Sequence, residues 1–217
     1  MRRCLCCHRV LVEGEDVVCL ECLMHFPLVN SADEQNPLWK TFCGQLTFEH
    51  ATTLAYYQPG GVFAKVIVHS KFGGWPEGNA FLTRMLLDQL EGSGWPYDID
   101  VIMPVPIHWI RLLMRGYNQV SPIVHTLGKV WHVPVESRCL SRAHYVKSQL
   151  KANAQQRKLN QQDAFRVRHP ERLAGKHVLL VDDVCTTGAT LVACAEQLQR
   201  IPGVRISFLT LALTFRM

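Results

Sequence analysis

Residues 177–190, HVLLVDDVCTTGAT, decide how the rest of the chain reads. Val178, Leu179, Leu180 and Val181 form the branched apolar run that a parallel strand needs when both of its faces are covered. Asp182 and Asp183 follow where such a strand should emerge. Thr186, Thr187, Gly188, Ala189 and Thr190 then make a small, hydroxyl-rich turn. Beyond it Leu191, Cys194, Ala195 and Leu198 recur at helical spacing, so the local order is strand, turn and helix N-terminus.

That order favours one kind of ligand. Backbone N–H groups at a helix start, joined by threonine hydroxyls and a glycine without a Cβ, suit a phosphate dianion. Carboxylates just before the turn repel phosphate, so they should face another part of the ligand, such as a diol or a metal-bridged diol. A sugar 5-phosphate satisfies both halves. A buried strand ending in two aspartates before a capped helix is the plainer alternative, and the full run makes it the lesser one. Cys185 has no evident partner base and reads as a packing thiol. The stretch resembles the 5-phosphoribosyl-1-pyrophosphate (PRPP) motif of type I phosphoribosyltransferases. The resemblance implies that Asp182 and Asp183 contact the ribose hydroxyls and that Thr186 to Thr190 hold the 5′-phosphate.

The composition allows such a domain. The chain has 217 residues, 48% hydrophobic and 19% charged, enough for one main domain with a small appendage. No apolar run approaches the roughly 20 residues of a membrane span, and MRRCLCCHRV lacks the apolar core of a secretory signal, so no membrane insertion and a cytoplasmic location are expected. The net charge of +5 is uneven. Residues 1–100 carry 7 Lys and Arg against 12 Asp and Glu, whereas 138–172 carry 9 against 2, which marks a basic segment suited to a polyanion. No GxGxxG and no GxxxxGK[ST] occurs, so dinucleotide and P-loop sites are not supported.

Five of the nine cysteines fall in the first 22 residues, which argues for reduced thiols and a metal over a disulfide framework. Cys4/Cys7 and Cys19/Cys22 are two CxxC pairs with 11 residues between them. Each pair suits a knuckle offering two thiolates, and two knuckles complete the tetrahedron that Zn2+ prefers. Cys6, His8 and His25 are alternative ligands, and a redox CxxC is the competing reading. Gly14 and its acidic neighbours mark a turn between the pairs, hence a short hairpin. A closed four-cysteine site has no open position, so its zinc is structural.

The middle of the chain is less informative. Residues 26–48 read as a connector packed by Trp39 and Phe42, with Cys43 buried. His50 to Tyr57 suits a strand, which Pro59-Gly60-Gly61 breaks. A helix marked by Val62, Val66, Ile67 and Ser70 ends at Lys71-Phe72-Gly73-Gly74, and another spans Glu77 to Leu90 with Phe81, Met85, Leu86 and Leu90 on one face. Trp75 and Trp95, each before a proline, read as loop anchors. Lys71, beside the Gly-Gly break, is placed either to meet an anion or to complement its own helix dipole. Asp98 to Val105 is strand-like. After it, IHWIRLLMRGYNQ puts Arg111 and Arg115 on one helix face, either as a diphosphate grip or as a plain surface pair. Val204 to Phe215 reads as the last strand, beside the motif strand.

Several separate blocks sharpen the resemblance. MPVPIHWIRLLMRGYNQ, Ser148-Gln149-Leu150, Arg157, Asn160, Ala164-Phe165 and VLLVDDVCTTGAT, behind the paired CxxC module, resemble the ComF/GntX family of phosphoribosyltransferase-like proteins. Asp163 departs from the glycine frequent there. The resemblance implies an α/β fold of type I phosphoribosyltransferase kind, a mainly parallel sheet flanked by helices. It would divide as a zinc ribbon over 1–30 and the main domain over 31–217. It further implies a flexible basic hood over about 140–165, and pyrophosphate binding near the prolines after the second strand. Within the hood Arg142, Tyr145, Lys147, Lys151, Arg157 and Lys158 are candidates either for closing over PRPP or for holding single-stranded DNA, with Tyr145 stacking on a base. The implied biology is DNA uptake or use of external DNA, with Mg2+ accompanying PRPP and the DNA-uptake machinery as a further partner. Two readings follow: a phosphoribosyltransferase releasing pyrophosphate, or a non-catalytic binding module that senses PRPP.

Overall fold

The computed structural model describes residues 2–72, 75, 77–95, 98–107, 109–142 and 164–214. Along the chain the helices are α1 (Leu20–Leu23), α2 (Pro37–Phe42), α3 (Val62–Phe72), α4 (Glu77–Leu90), α5 (Trp109–Arg115), α6 (Ser121–Trp131) and α7 (Ala189–Leu198). The strands are β1 (Ala51–Tyr57), β2 (Val101–Pro104), β3 (Leu140–Arg142), β4 (Phe165–Val167), β5 (His177–Cys185) and β6 (Arg205–Thr214). Four of them form one parallel sheet in the order β1-β6-β5-β2, and β3 and β4 pair antiparallel beside it.

The apolar run of the motif is therefore an interior strand, with β6 on one side and β2 on the other. Leu179 and Val181 enter one buried cluster with residues of α3, α4 and α6. Val178 and Leu180 enter a second with residues of α2, α7 and the β3–β4 pair. Coverage on both faces is why the sequence there shows a continuous apolar run and no alternation. Ser-to-Thr positions fill the remaining interior by bonding: Thr210 Oγ1 on β6 donates to Thr53 Oγ1 on β1 at 3.0 Å.

Several expectations need correction. The motif strand does not stop at Val181: pairing with β6 continues through Asp182–Thr210, Val184–Ala212 and Cys185–Leu213. Ladder bonds use only the backbone, and the aspartates satisfy themselves locally. Asp182 Oδ1 accepts from the Asp183 N–H at 2.9 Å, and Asp183 Oδ1 from the Val184 N–H at 2.7 Å. The supposed connector contains α2, started by Asn36, whose side chain accepts from the N–H groups of Leu38 and Trp39 before Pro37 at the first helical position. Phe42 at its end is buried and packs on Phe208 with ring centroids 4.5 Å apart, whereas Cys43, expected inside, is exposed just past the helix.

Trp75, expected as a loop anchor, is 54% exposed, while Trp95 stacks on Trp131. The strand expected over 98–105 begins only at Val101, because Asp98 and Asp100 turn their carboxylates to His177. The helix from Glu77 to Leu90 forms as expected, but its buried line runs through Leu82, Leu86 and Leu90, with Phe81 and Met85 half-buried at its edge. Gly14 does turn the chain at φ +87°, yet the antiparallel bridge joins Arg3 to Val10 and encloses the first cysteine knuckle. Among the described residues no helix is long and apolar enough to cross a membrane.

Candidate functional site

The acidic doublet lies at the carboxyl end of β5, the position where open parallel sheets form ligand crevices. Neighbouring strand residues point to opposite faces, and this separates the two carboxylates. Asp183 is 3% exposed and meets Lys71 of α3, with Nζ 3.0 Å from Oδ2. Asp182 faces the α7 side, where its charge is felt by the buried thiol of Cys194, as is that of Arg142. Asp182 is half-buried. Burial first, and the charge of Asp183 second, push its pKa up to about 8 against the opposing pull of the Asp183 N–H and Lys71. The raised pKa favours the protonated form of Asp182, which lowers its repulsion toward an anionic ligand and gives it an O–H to donate.

Past β5 the chain turns through exposed Thr186 and Thr187 into α7. Gly188 caps the helix at φ +77° with no side-chain cap bond, and the Ala189 N–H donates to Thr187 Oγ1 at 3.3 Å. A Cβ on Gly188 would lie 2.7 Å from Phe42 Cε1. The glycine is therefore demanded by backbone conformation and by the packing of α2, whereas the sequence suggested only close approach of a phosphate. Ala189 and Thr190 are half-buried in the first turn.

The basic candidates divide. Lys71 is brought to the doublet from the last turn of α3, where the anion it meets is the protein's own Asp183. Arg142 ends β3 with its guanidinium 5.4 Å from the centroid of the Phe165 ring. Arg111 and Arg115 belong to α5, and their side chains lie outside the described residues, as do Tyr145, Lys147, Lys151, Arg157 and Lys158. Thr53 and Thr210, which form a polar floor beside Asp182, were not legible beforehand because their neighbours come from three distant strands.

The cysteine pairs converge as the spacing required. The sulfurs of Cys4, Cys7, Cys19 and Cys22 all lie within 4.8 Å of one another, with Cys7 and Cys19 3.7 Å apart. Zinc–sulfur bonds of about 2.3 Å place tetrahedral ligands about 3.8 Å apart, so the set fits Zn2+. Backbone N–H groups of Cys6 and Cys19 point at the Cys4 sulfur, each at 3.4 Å. Burial alone would raise the Cys4 thiol, but the N–H groups of Cys19, Cys7 and Cys6 outweigh it and hold the pKa at about 6. Burial and the adjoining sulfurs instead raise Cys22, so all four become thiolates together only around a cation. The alternatives separate cleanly: Cys6 directs its sulfur to the Val62 carbonyl at 3.5 Å, His25 bonds the Glu21 carbonyl at 2.8 Å, and the His8 ring lies edge-on to His69. Cys4, Cys19 and Cys22 share the buried cluster of α3 and α4, while Cys7 is exposed, so the cysteine module is built onto the sheet domain's core.

Two other features are distinct from the doublet. A cavity of about 690 Å³ lies between the cysteine module and α3–α4, lined by Arg2, Arg3, His8, His69, Trp75 and Arg84 among others, with no residue of the β5 end. At the opposite end of β5, Ser207 Oγ, His177 and Asp98 line up like a nucleophile, base and acid, with both links at 2.8 Å. Ser207 is fully buried and its Oγ also accepts from the His50 N–H at 3.1 Å, so this alignment ties strands together and is closed to substrate.

The phosphoribosyl transferase domain family model matches residues 130–213, which take in the hairpin strands, β5, the threonine turn and β6. The chain is 35% identical over 144 residues to the DNA utilization protein YhgH of Salmonella typhi, covering 62% of this chain and 60% of that protein, so it spans three-fifths of that relative's length. It is 31% identical over 159 residues to the YhgH of Escherichia coli (strain K12), covering 70% of this chain and 67% of the relative. It is 30% identical over 103 residues to Competence protein F of Haemophilus influenzae, covering 47% and 45%.

Proposed function

We propose that this chain, which belongs to the ComF/GntX family of phosphoribosyltransferase-like DNA utilization and competence proteins, binds PRPP at the carboxyl end of β5 and serves the handling of external DNA. The observation that carries this reading is the acidic doublet near the carboxyl end of the interior parallel strand β5, which runs on to Cys185 and leads through Thr186 and Thr187 to the Gly188 turn into α7. Asp182 and Asp183 hold the ribose hydroxyls, one donating and one accepting. Thr186 to Thr190 receive the 5′-phosphate on hydroxyls and first-turn N–H groups, where the helix dipole favours negative charge. Lys71, Arg111 and Arg115 are the candidates for the pyrophosphate. Mg2+ bound with the ligand supplies counter-charge to that pyrophosphate. The buried Asp183 Oδ2, which has no hydrogen-bond partner besides the ammonium contact, is an acceptor suited to a ribose hydroxyl.

The reaction such a site serves is phosphoribosyl transfer. The bond from C1′ to pyrophosphate breaks, an acceptor takes C1′, and pyrophosphate leaves, with the doublet favouring positive charge at C1′ in between. The cysteine set over residues 1–30 acts as a structural zinc ribbon, and residues 31–217 as the ligand-binding domain. Calorimetric titration with PRPP in Mg2+, repeated on Asp183→Asn, tests the site; a variant that binds as well as the parent refutes it. Pyrophosphate release, assayed with a panel of nucleobases and single-stranded DNA, then divides transferase from sensor: binding without release under every acceptor identifies a sensing module.

A further inference from the structure

We propose that Lys71 is a specificity-determining counter-ion, which covers Asp183 until a ligand brings its own anion at C1′, and so makes the site select PRPP over ribose 5-phosphate. This inference rests on the PRPP reading. Asp183 is almost wholly buried: one oxygen accepts from the Val184 N–H, and the other has no hydrogen bond and faces the Lys71 ammonium at 3.0 Å. The Lys71 side chain is 21% exposed against 4% for that of Asp183, so Lys71 is the partner of the pair that reaches solvent. A ribose hydroxyl that comes to the free oxygen of Asp183 must therefore come to the atom Lys71 occupies.

What happens next depends on the ligand. Ribose 5-phosphate offers no anion near C1′, so displacing the ammonium separates a buried ion pair and leaves a charge without its partner, a costly change. PRPP presents a diphosphate on that side, and Lys71 exchanges one anion for another. The backbone of α3 is well held for such an exchange. Ser70 is fully buried, its carbonyl accepts from the Tyr117 hydroxyl, and α4 approaches so closely that a Cβ on Gly78 would meet Ser70 Oγ at 2.3 Å. With the helix end pinned, the side chain of Lys71 moves and its Cα does not.

The test measures both ligands by calorimetry on the full-length, zinc-loaded protein in Mg2+. In Lys71→Met the affinity for ribose 5-phosphate rises about tenfold, because nothing covers Asp183, while that for PRPP falls about tenfold; the two effects have opposite signs. A loss for both ligands, or no change in either, overturns the proposal. Since removing the ammonium leaves Asp183 unpaired and can cost folding, a second measurement uses the unaltered protein. Inorganic pyrophosphate, added separately, gives Lys71 its alternative partner and tightens ribose 5-phosphate several-fold; unchanged or weaker binding overturns the proposal. If the parent binds neither PRPP nor ribose 5-phosphate, the PRPP reading itself falls and this one with it. If it binds both with equal strength, only the selectivity role of Lys71 falls.

Discussion

Asp182→Asn tests the raised pKa of the Asp182 carboxyl. In the unfolded chain this carboxyl titrates near 3.8, and in the fold burial and Asp183 raise it to about 8. Between those limits the folded state binds a proton that the unfolded state releases, so the parent loses stability as pH rises from about 4 to about 8. At about 1.36 kcal/mol per pH unit, the climb sets a ceiling of about 5–6 kcal/mol. Coupling to the neighbouring carboxylate reduces what Asp182 contributes by itself, and we expect about half of that, ~3 kcal/mol, to be lost on account of Asp182. Asparagine cannot ionise. The variant should match the parent or be slightly less stable at pH 5, and should become the more stable of the two by about 2 kcal/mol near pH 8.5, half of the roughly 4 kcal/mol that three pH units carry. The assay is urea unfolding at a series of pH values in zinc-containing buffer. Thiolate titration at the metal cluster is common to both proteins and cancels in the difference. A difference that stays flat between pH 5 and 8.5 would falsify the raised pKa of Asp182 and imply that it is ionised throughout.

Three further outcomes follow from packing and ligation. Zinc measured per chain should be one for the parent and for Cys6→Ser, whose sulfur bonds the Val62 carbonyl, but absent in Cys22→Ser, and a chelator should lower the melting temperature of the first two. Gly188→Ala should cost about 1–3 kcal/mol from its positive φ and the clash with Phe42, and Phe42→Leu in the same chain should recover only the clash part, as read by denaturant midpoints. His177→Ala, which strips partners from Asp98 and buried Ser207, should destabilise by about 1–3 kcal/mol without altering PRPP affinity, because it lies at the far end of β5; an equal loss of affinity would contradict the separation of the two ends.

Much of this protein is written locally. The apolar run 178–181, the aspartates and the threonine turn follow one another within a dozen residues, so strand, doublet and helix start could be read from periodicity and turn chemistry alone. The cysteine pairs were equally plain, because ligand spacing is a property of the knuckle and not of the surrounding fold. Helix α2 was missed although Asn36-Pro37 is a proper start signal, since six residues give too little periodicity to declare a helix.

What the chain order could not supply is every relation carried across the fold. Strand alternation sends Asp182 and Asp183 to different faces, but only the packing of α3 on one and α7 on the other makes one carboxylate an ion-pair partner and the other a proton holder. Lys71 was visible as a cation in want of an anion, and tertiary structure decided that the anion is Asp183. Gly188 was visible as a glycine, and Phe42 from a distant helix supplied the steric reason for it. Sequence determined which chemical groups stand at the end of β5, because neighbours along the chain fix those. The tertiary fold determined their charge, exposure and partners, because these depend on dielectric and contacts that only distant segments bring together.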